Sequence, residues 1–268
     1  MKAISYQVNS HRRVNMPHTD PPRGPFKSLV VLGESTVEGG GWLSGPDERY
    51  ANLLWHLLEH AQEQALAYHN AGVGASVISP RSPGYEASVK PSASERLDEE
   101  VIAHNPDLVV VAYGLNDMRA GMSVADFKAE LVAVLDRIDE STDAMMVIVN
   151  VYHQSAYCHY PPYDKGGVAV TDEYNRMLEQ LAAERGCVYA DIYSAEAQKD
   201  HLIHPDTVHA NKVGNMILAN KVFEAIVLAS PGITTNVAER DADTEWTRHI
   251  KDWQAETVEK SHQSYPQE

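Results

Sequence analysis

Apolar residues in this chain fall into short solid runs separated by longer stretches with helical spacing. Leu29-Val30-Val31-Leu32 is a solid run that stops at Gly33-Glu34-Ser35-Thr36, which reads as a buried strand over about 27–32 ending in a turn. Tyr50, Leu53, Leu54, Leu57 and Leu58 recur at helical spacing and predict a helix opened by Pro46-Asp47-Glu48 and reaching about Gln64. A second strand follows at Ala65–Asn70, then the small-residue turn Ala71–Ser76 and a loop over Ser79–Ser92. Ala93–His104 reads as a helix ended by Asn105-Pro106. Leu108–Tyr113 and Met145–Val151 are further buried strands, with a helix at about 124–139 between them and Ser123 as its N-cap. Tyr152–Val168 is irregular. Thr171–Arg185 is amphipathic and closed by Gly186, and Cys187–Ile192 is the fifth strand. Ser194–Val208 reads as a polar loop and Asn211–Ala229 as the last main helix.

Solid runs alternating with amphipathic ones are the pattern of a parallel sheet covered on both faces. With right-handed crossovers the economical topology is a five-stranded, flavodoxin-like order 2-1-3-4-5. The ends of its first three strands then carry Ser35, Gly74 and Asn116 at one edge. Three segments result: an N-terminal arm over 1–26, an α/β domain over 27–230, and a C-terminal extension over 231–268. In the extension, Trp246, Ile250 and Trp253 mark an amphipathic helix expected to dock on the body or on a second copy. A short strand near Ile4–Val8 is expected in the arm.

Charge narrows the partners. The 268 residues carry 22 basic and 38 acidic side chains, a formal net charge of −16, which is the opposite of a nucleic-acid footprint and disfavours anionic membranes. The first 25 residues lack the apolar core of a signal peptide and no run reaches transmembrane length, so the expectation is a cytoplasmic protein. Arm and tail offer surfaces for homo-oligomer contacts. Two cysteines, Cys158 and Cys187, supply neither a disulfide framework nor a four-thiolate zinc site.

A serine just past a parallel strand stands where α/β sheets place ligands, although such a serine also serves as a turn former or helix N-cap. A nucleophilic serine needs a base, and the base an orienting acceptor. Asp206 and His209, in His204-Pro205-Asp206-Thr207-Val208-His209, are spaced to supply both, unless Asp206 merely caps the next helix. Oxyanion donors could come from the Ser35 N–H, the small turn around Gly74 and Ala75, and the Asn116 amide. A G-x-S-x-G elbow is excluded because Val37 replaces the second glycine. A P-loop is excluded because no lysine follows Gly39-Gly40-Gly41. Those glycines are expected to let the chain turn away from the site. His201, His204, Asp206 and His209 are dense enough to raise a metal hydrolase as an alternative, but that leaves Ser35 and Asn116 without a role.

Gly33-Glu34-Ser35-Thr36, Asn70–Ala75, Gly114-Leu115-Asn116-Asp117 and Asp206-Thr207-Val208-His209 resemble, in order, the four blocks of the SGNH hydrolases, the GDSL-type esterases and lipases. The resemblance spans about Lys27 to Ala229. It implies a three-layer α/β/α sandwich and Ser-His-Asp hydrolysis of carboxylic esters without metal or organic cofactor. By motif match Ser35 is nucleophile and first oxyanion donor, Asn116 a further donor, His209 the base and Asp206 its orienter. Two positions depart from the family pattern. Glu34 replaces the usual aspartate, and Ala75, after Gly74, stands where the family places its oxyanion glycine, leaving open which of the two donates. Short acyl esters, such as acetyl groups on sugars, are the expected substrates, with Trp42, Tyr85, Tyr113, Tyr152 and Tyr157 as candidate pocket walls. Acyl transfer, thioester cleavage and a degenerate binding module are the alternatives.

Overall fold

The computed structural model describes residues 23–157 and 160–263. Five parallel strands, β1 (Ser28–Gly33), β2 (Ala67–Gly72), β3 (Leu108–Ala112), β4 (Met145–Val149) and β5 (Val188–Ala190), form one sheet in the order β2-β1-β3-β4-β5. This is the expected flavodoxin-like topology. Leu29, Val30, Val31 and Leu32 of β1 are fully buried, as a central strand with helices on both faces requires. The entry to β1 is pinned by side chains. Asp107 accepts from the Lys27 and Ser28 N–H groups, and Gln62 brackets Phe26 by bonding both its N–H and its carbonyl.

The helices are α1 (Ser35–Glu38), α2 (Tyr50–Gln62), α3 (Ala93–Glu100), α4 (Leu115–Arg119), α5 (Val124–Ser141), α6 (Val168–Arg185), α7 (Ile192–Glu196), α8 (Lys212–Ala229), α9 (Thr235–Ala242) and α10 (Glu245–Gln263). α2, α7 and α8 pack together, and α5 packs on α3 and α6, giving the outer layers of an α/β/α sandwich. Ser123 caps α5 as expected, by accepting the Asp126 N–H. Asn211 caps α8 by accepting from Val213 and Gly214.

Several expectations need correction. The helix expected from Pro46 is a 3-10 turn over Pro46–Glu48 followed by α2. The stretch 194–208 is not wholly loop, because α7 runs through Glu196 and a 3-10 turn covers Asp200–Leu202. α10 forms where the tail pattern placed it, but its apolar face does not dock on the body: Trp246 is 70% and Trp253 58% exposed. The N-terminal arm, including the strand expected near Ile4–Val8, lies outside the described residues except for 23–26. There Gly24 packs so closely on Gly232 and Ile233 that a side chain on Gly232 would meet the Gly24 carbonyl at 2.2 Å. The hydrophobic core accordingly extends from Phe26 to Ile233.

Candidate active site

β1 ends at Gly33, where the chain turns at once into α1. A side chain on Gly33 would strike Val37 at 2.2 Å, and one on Gly72 would strike the Glu38 backbone at 2.2 Å. Those two glycines let α1 lie hard against the ends of β1 and β2. Asn70 fixes the arrangement by donating to the Val37 carbonyl while accepting from its own turn at Gly72. Ser35 is thereby the first residue of α1, where the N–H groups of the first turn have no intrahelical partner.

The loop carrying Asp206 and His209 is closed by the bridge between Ile203 and Ala210 and by a bond from the His204 N–H to the His209 carbonyl. Asp206 Oδ1 accepts from the backbone N–H of Val208 and His209, and Oδ2 lies 2.8 Å from His209 Nδ1. The alternative role for Asp206 as helix cap is thus set aside, since Asn211 holds that position. His209 Nε2 lies 2.8 Å from Ser35 Oγ. With Nδ1–H donated to the carboxylate, Nε2 is left to accept the serine hydroxyl. Burial lowers the His209 pKa below its usual value, against the opposing pull of Asp206. Burial also works to raise Asp206, but the His209 and Val208 N–H groups outweigh it and hold the carboxyl low. At neutral pH the pair is a neutral imidazole oriented by a carboxylate.

The turn after β2 brings its residues to the same place. Gly74 and Ala75 line a cleft of about 590 Å³ together with Ser35, Asn116 and His209. Their N–H groups differ in availability. That of Gly74 donates to Glu38 Oε2 at 2.7 Å, whereas that of Ala75 has no intramolecular partner among the described residues. Ala75 also has φ of 55°, in the left-handed region that favours glycine. The Asn116 amide, from the start of α4, donates one hydrogen to the Ser76 carbonyl at 2.9 Å. Its second hydrogen remains for a ligand. Ser76 is itself tied through Tyr113 to Arg96, whose buried guanidinium also reaches the carbonyls of Gly33 and Ala71 at the ends of β1 and β2.

Glu34, whose effect the sequence leaves open, is buried beneath the site. Its Oε1 accepts from Gly114 and Leu115, each at 2.9 Å, and its Oε2 from Asn116 at 3.2 Å. The longer side chain thus spans from β1 to the first turn of α4 and fixes the backbone of Asn116. Burial, reinforced by the neighbouring Asp117, pushes the Glu34 pKa up to about 8 despite those three donors. Burial likewise lifts Asp117 to about 7.

The aromatic walls are mostly other than expected. Of the five aromatic side chains proposed from sequence only Trp42 lines the cleft, joined by Tyr160 and Tyr163. Tyr113 and Tyr152 are buried, with hydroxyls bonded to Arg96 and Thr36, and Tyr85 reaches outward to Glu95. Trp42 stacks on His209, with ring centroids 3.6 Å apart and planes within 7°. Among the described residues no three His, Cys, Asp or Glu side chains converge as a metal site. His204 instead accepts the Asp206 N–H.

The GDSL-like lipase/acylhydrolase family matches residues 31–217. An acetylxylan esterase from Geobacillus stearothermophilus is 26% identical over 210 residues, covering 74% of this chain and 90% of that enzyme. The crystal structure of an acetylxylan esterase from the same organism superposes with a TM-score of 0.56 at 20% identity, covering 75% of this chain and 94% of the other. A Parabacteroides merdae protein described as a GDSL-like lipase gives 0.59 at 15% identity, covering 75% and 96%. At those identities the two structures show a common fold. The sheet order, the four sequence blocks and the family match together make this chain a member of the GDSL-like lipase/acylhydrolase family, within the SGNH hydrolases, and a carboxylic ester hydrolase.

Proposed function

We propose that the protein cleaves short acyl esters, acetyl esters of sugars foremost, through an acyl-enzyme on Ser35. The observation that carries this reading is the unbroken line of two 2.8 Å contacts from Asp206 through His209 to Ser35 Oγ. His209 Nε2 takes the hydroxyl proton as Ser35 Oγ attacks the ester carbonyl. The carbonyl oxygen becomes an oxyanion held by the N–H groups of Ser35 and Ala75 and by Asn116 Nδ2. The C–O bond to the alcohol breaks, and the alcohol leaves with the proton from His209. Water then attacks the acyl-serine, giving its proton to His209, and the acid departs as Ser35 recovers its hydrogen. Asp206 keeps its negative charge and stabilises the imidazolium at both steps.

The short acyl preference is supported by the mixed lining of the cleft, where Glu38 and Arg119 stand beside Trp42, Val73 and Val89. The acetylxylan esterase relative points the same way. The test is a chain-length series of p-nitrophenyl esters from acetate to decanoate, run beside acetylated sugars. A fluorophosphonate should label Ser35 covalently, and Ser35→Ala should lose both labelling and turnover. Equal turnover by wild type and Ser35→Ala would sink the mechanism, and a preference for decanoate would sink the short-acyl assignment.

A further inference from the structure

Resting on that reading of His209 as base, we infer that Trp42 is a positioning residue: its indole clamps the His209 imidazole and stabilises the imidazolium formed in each transition state. The two rings lie nearly parallel at 3.6 Å, the arrangement in which a cation on one ring meets the electron-rich face of the other. Asp206 fixes the imidazole along one edge and Ser35 meets the opposite edge. Neither contact prevents the ring from tilting about the Nδ1–Nε2 line, whereas a face-to-face neighbour does. The remaining charged or titratable groups near His209 are His204 on the same loop, Arg119 at the end of α4 and Glu38 on α1. Arg119 and His204 disfavour the imidazolium, and Trp42 joins the Asp206 and Glu38 carboxylates on the side that favours it.

The glycine run after α1 is shaped for this indole. A side chain on Gly40 would meet the Trp42 ring at 2.2 Å, and one on Gly39 would meet the Arg49 side chain at 2.6 Å. Gly41 has nothing within 4 Å. Two of the three glycines are therefore occupied by close neighbours, and Gly40 is the bed on which Trp42 lies. The run thus seats an aromatic side chain as well as turning the chain away from the site.

The experiment compares Trp42→Leu, Trp42→Phe, Gly40→Ala and Gly41→Ala with wild type on p-nitrophenyl acetate across pH, with thermal unfolding of each. Trp42→Leu keeps an apolar cover but has no π face. It should lower kcat about tenfold with little change in KM, and move the acid limb of kcat/KM, which reports free His209, to lower pH. Trp42→Phe should recover most of the loss. Gly40→Ala, which retains the indole but displaces it, should reproduce the defect, and Gly41→Ala should match wild type. A normal kcat and an unmoved limb in Trp42→Leu would overturn the inference. So would a change confined to KM, which would make Trp42 a substrate wall, or a Phe variant no better than the Leu variant. Ser35→Ala, run alongside, separates the two claims. If it is inactive while the Trp42 variants behave as wild type, only the clamp fails; if it is active, the reading beneath it fails.

Discussion

The buried carboxyl of Glu34 makes stability depend on pH in a way that one substitution should remove. Glu34→Gln keeps the length of the side chain and abolishes its charge. The amide oxygen, placed where Oε1 stands, can still accept from Gly114 and Leu115; only the contact to Asn116, the longest of the three, is lost. Losing one such bond and leaving its donor buried costs about 1–2 kcal/mol. Against this stands the cost of ionising the wild-type residue. Its folded pKa of about 8 lies above the ordinary 4.5, so the native state holds the proton more tightly than the unfolded chain. A raised carboxyl contributes stability that is complete below the unfolded pKa and lost as pH rises through the folded one. The gap corresponds to roughly 5 kcal/mol over the whole titration, of which about 3 kcal/mol falls between pH ~5.5 and pH ~9. Asp117, raised to about 7 by its own burial, titrates in the same sense in both proteins and so drops out of the comparison. Urea unfolding of both proteins at the two pH values measures the difference. By pH ~5.5 about 1.4 kcal/mol of the wild-type advantage is already gone, so Glu34→Gln should match the wild type to within about 1 kcal/mol there and be the more stable by about 3 kcal/mol at pH ~9. Parallel behaviour, with a constant gap between the two proteins, would refute the reasoning. It would mean that Glu34 is ionised throughout and that its three N–H donors outweigh burial.

The two proposed oxyanion donors outside α1 offer two further tests. Ala75→Gly should raise stability by roughly 1 kcal/mol or less while retaining activity, because glycine accepts φ of 55° without the strain of a β-carbon; thermal unfolding and turnover check it, and a clear destabilisation would contradict it. Asn116→Ala should lower kcat about 10²–10³-fold with a smaller effect on KM. Steady-state kinetics on a short ester decide the matter, since a variant that melts earlier but turns over normally would reduce Asn116 to a brace for the Ser76 carbonyl.

Much of this was legible in the sequence because the relevant signals are short-range. Solid apolar runs mark β1, β3 and β4 to within a residue or two at each end, since a strand buried on both faces tolerates nothing else. The stretch 67–72 was harder: AYHNAG is neither solid nor alternating, and its strand is set by pairing with β1. α7 escaped notice because five residues capped by Asp191 are too few to show a helical period. At the site, the residues that meet could be read from their blocks, but their surroundings could not. Tyr113 and Tyr152 sit close to catalytic blocks in sequence, yet their side chains leave the strand ends toward the interior. The stack of Trp42 on His209 depends on the path of a loop, and the three acceptances by Glu34 depend on where α4 begins relative to β1. Neither leaves a trace in residue spacing.

The exposed tail helix has an optical consequence. The chain has four tryptophans, and they occupy distinct environments. Trp42 lies against an imidazole in the cleft, Trp55 is half-buried with its N–H bonded to Leu66, and Trp246 and Trp253 stand in water on α10. Indole emission shifts to the red in water and to the blue when a surface covers it. Any molecule that settles on α10 would therefore announce itself as a blue shift from Trp246 and Trp253. A ligand entering the cleft would disturb Trp42 instead. The cleft and the tail helix can be watched separately in one spectrum without attaching a label.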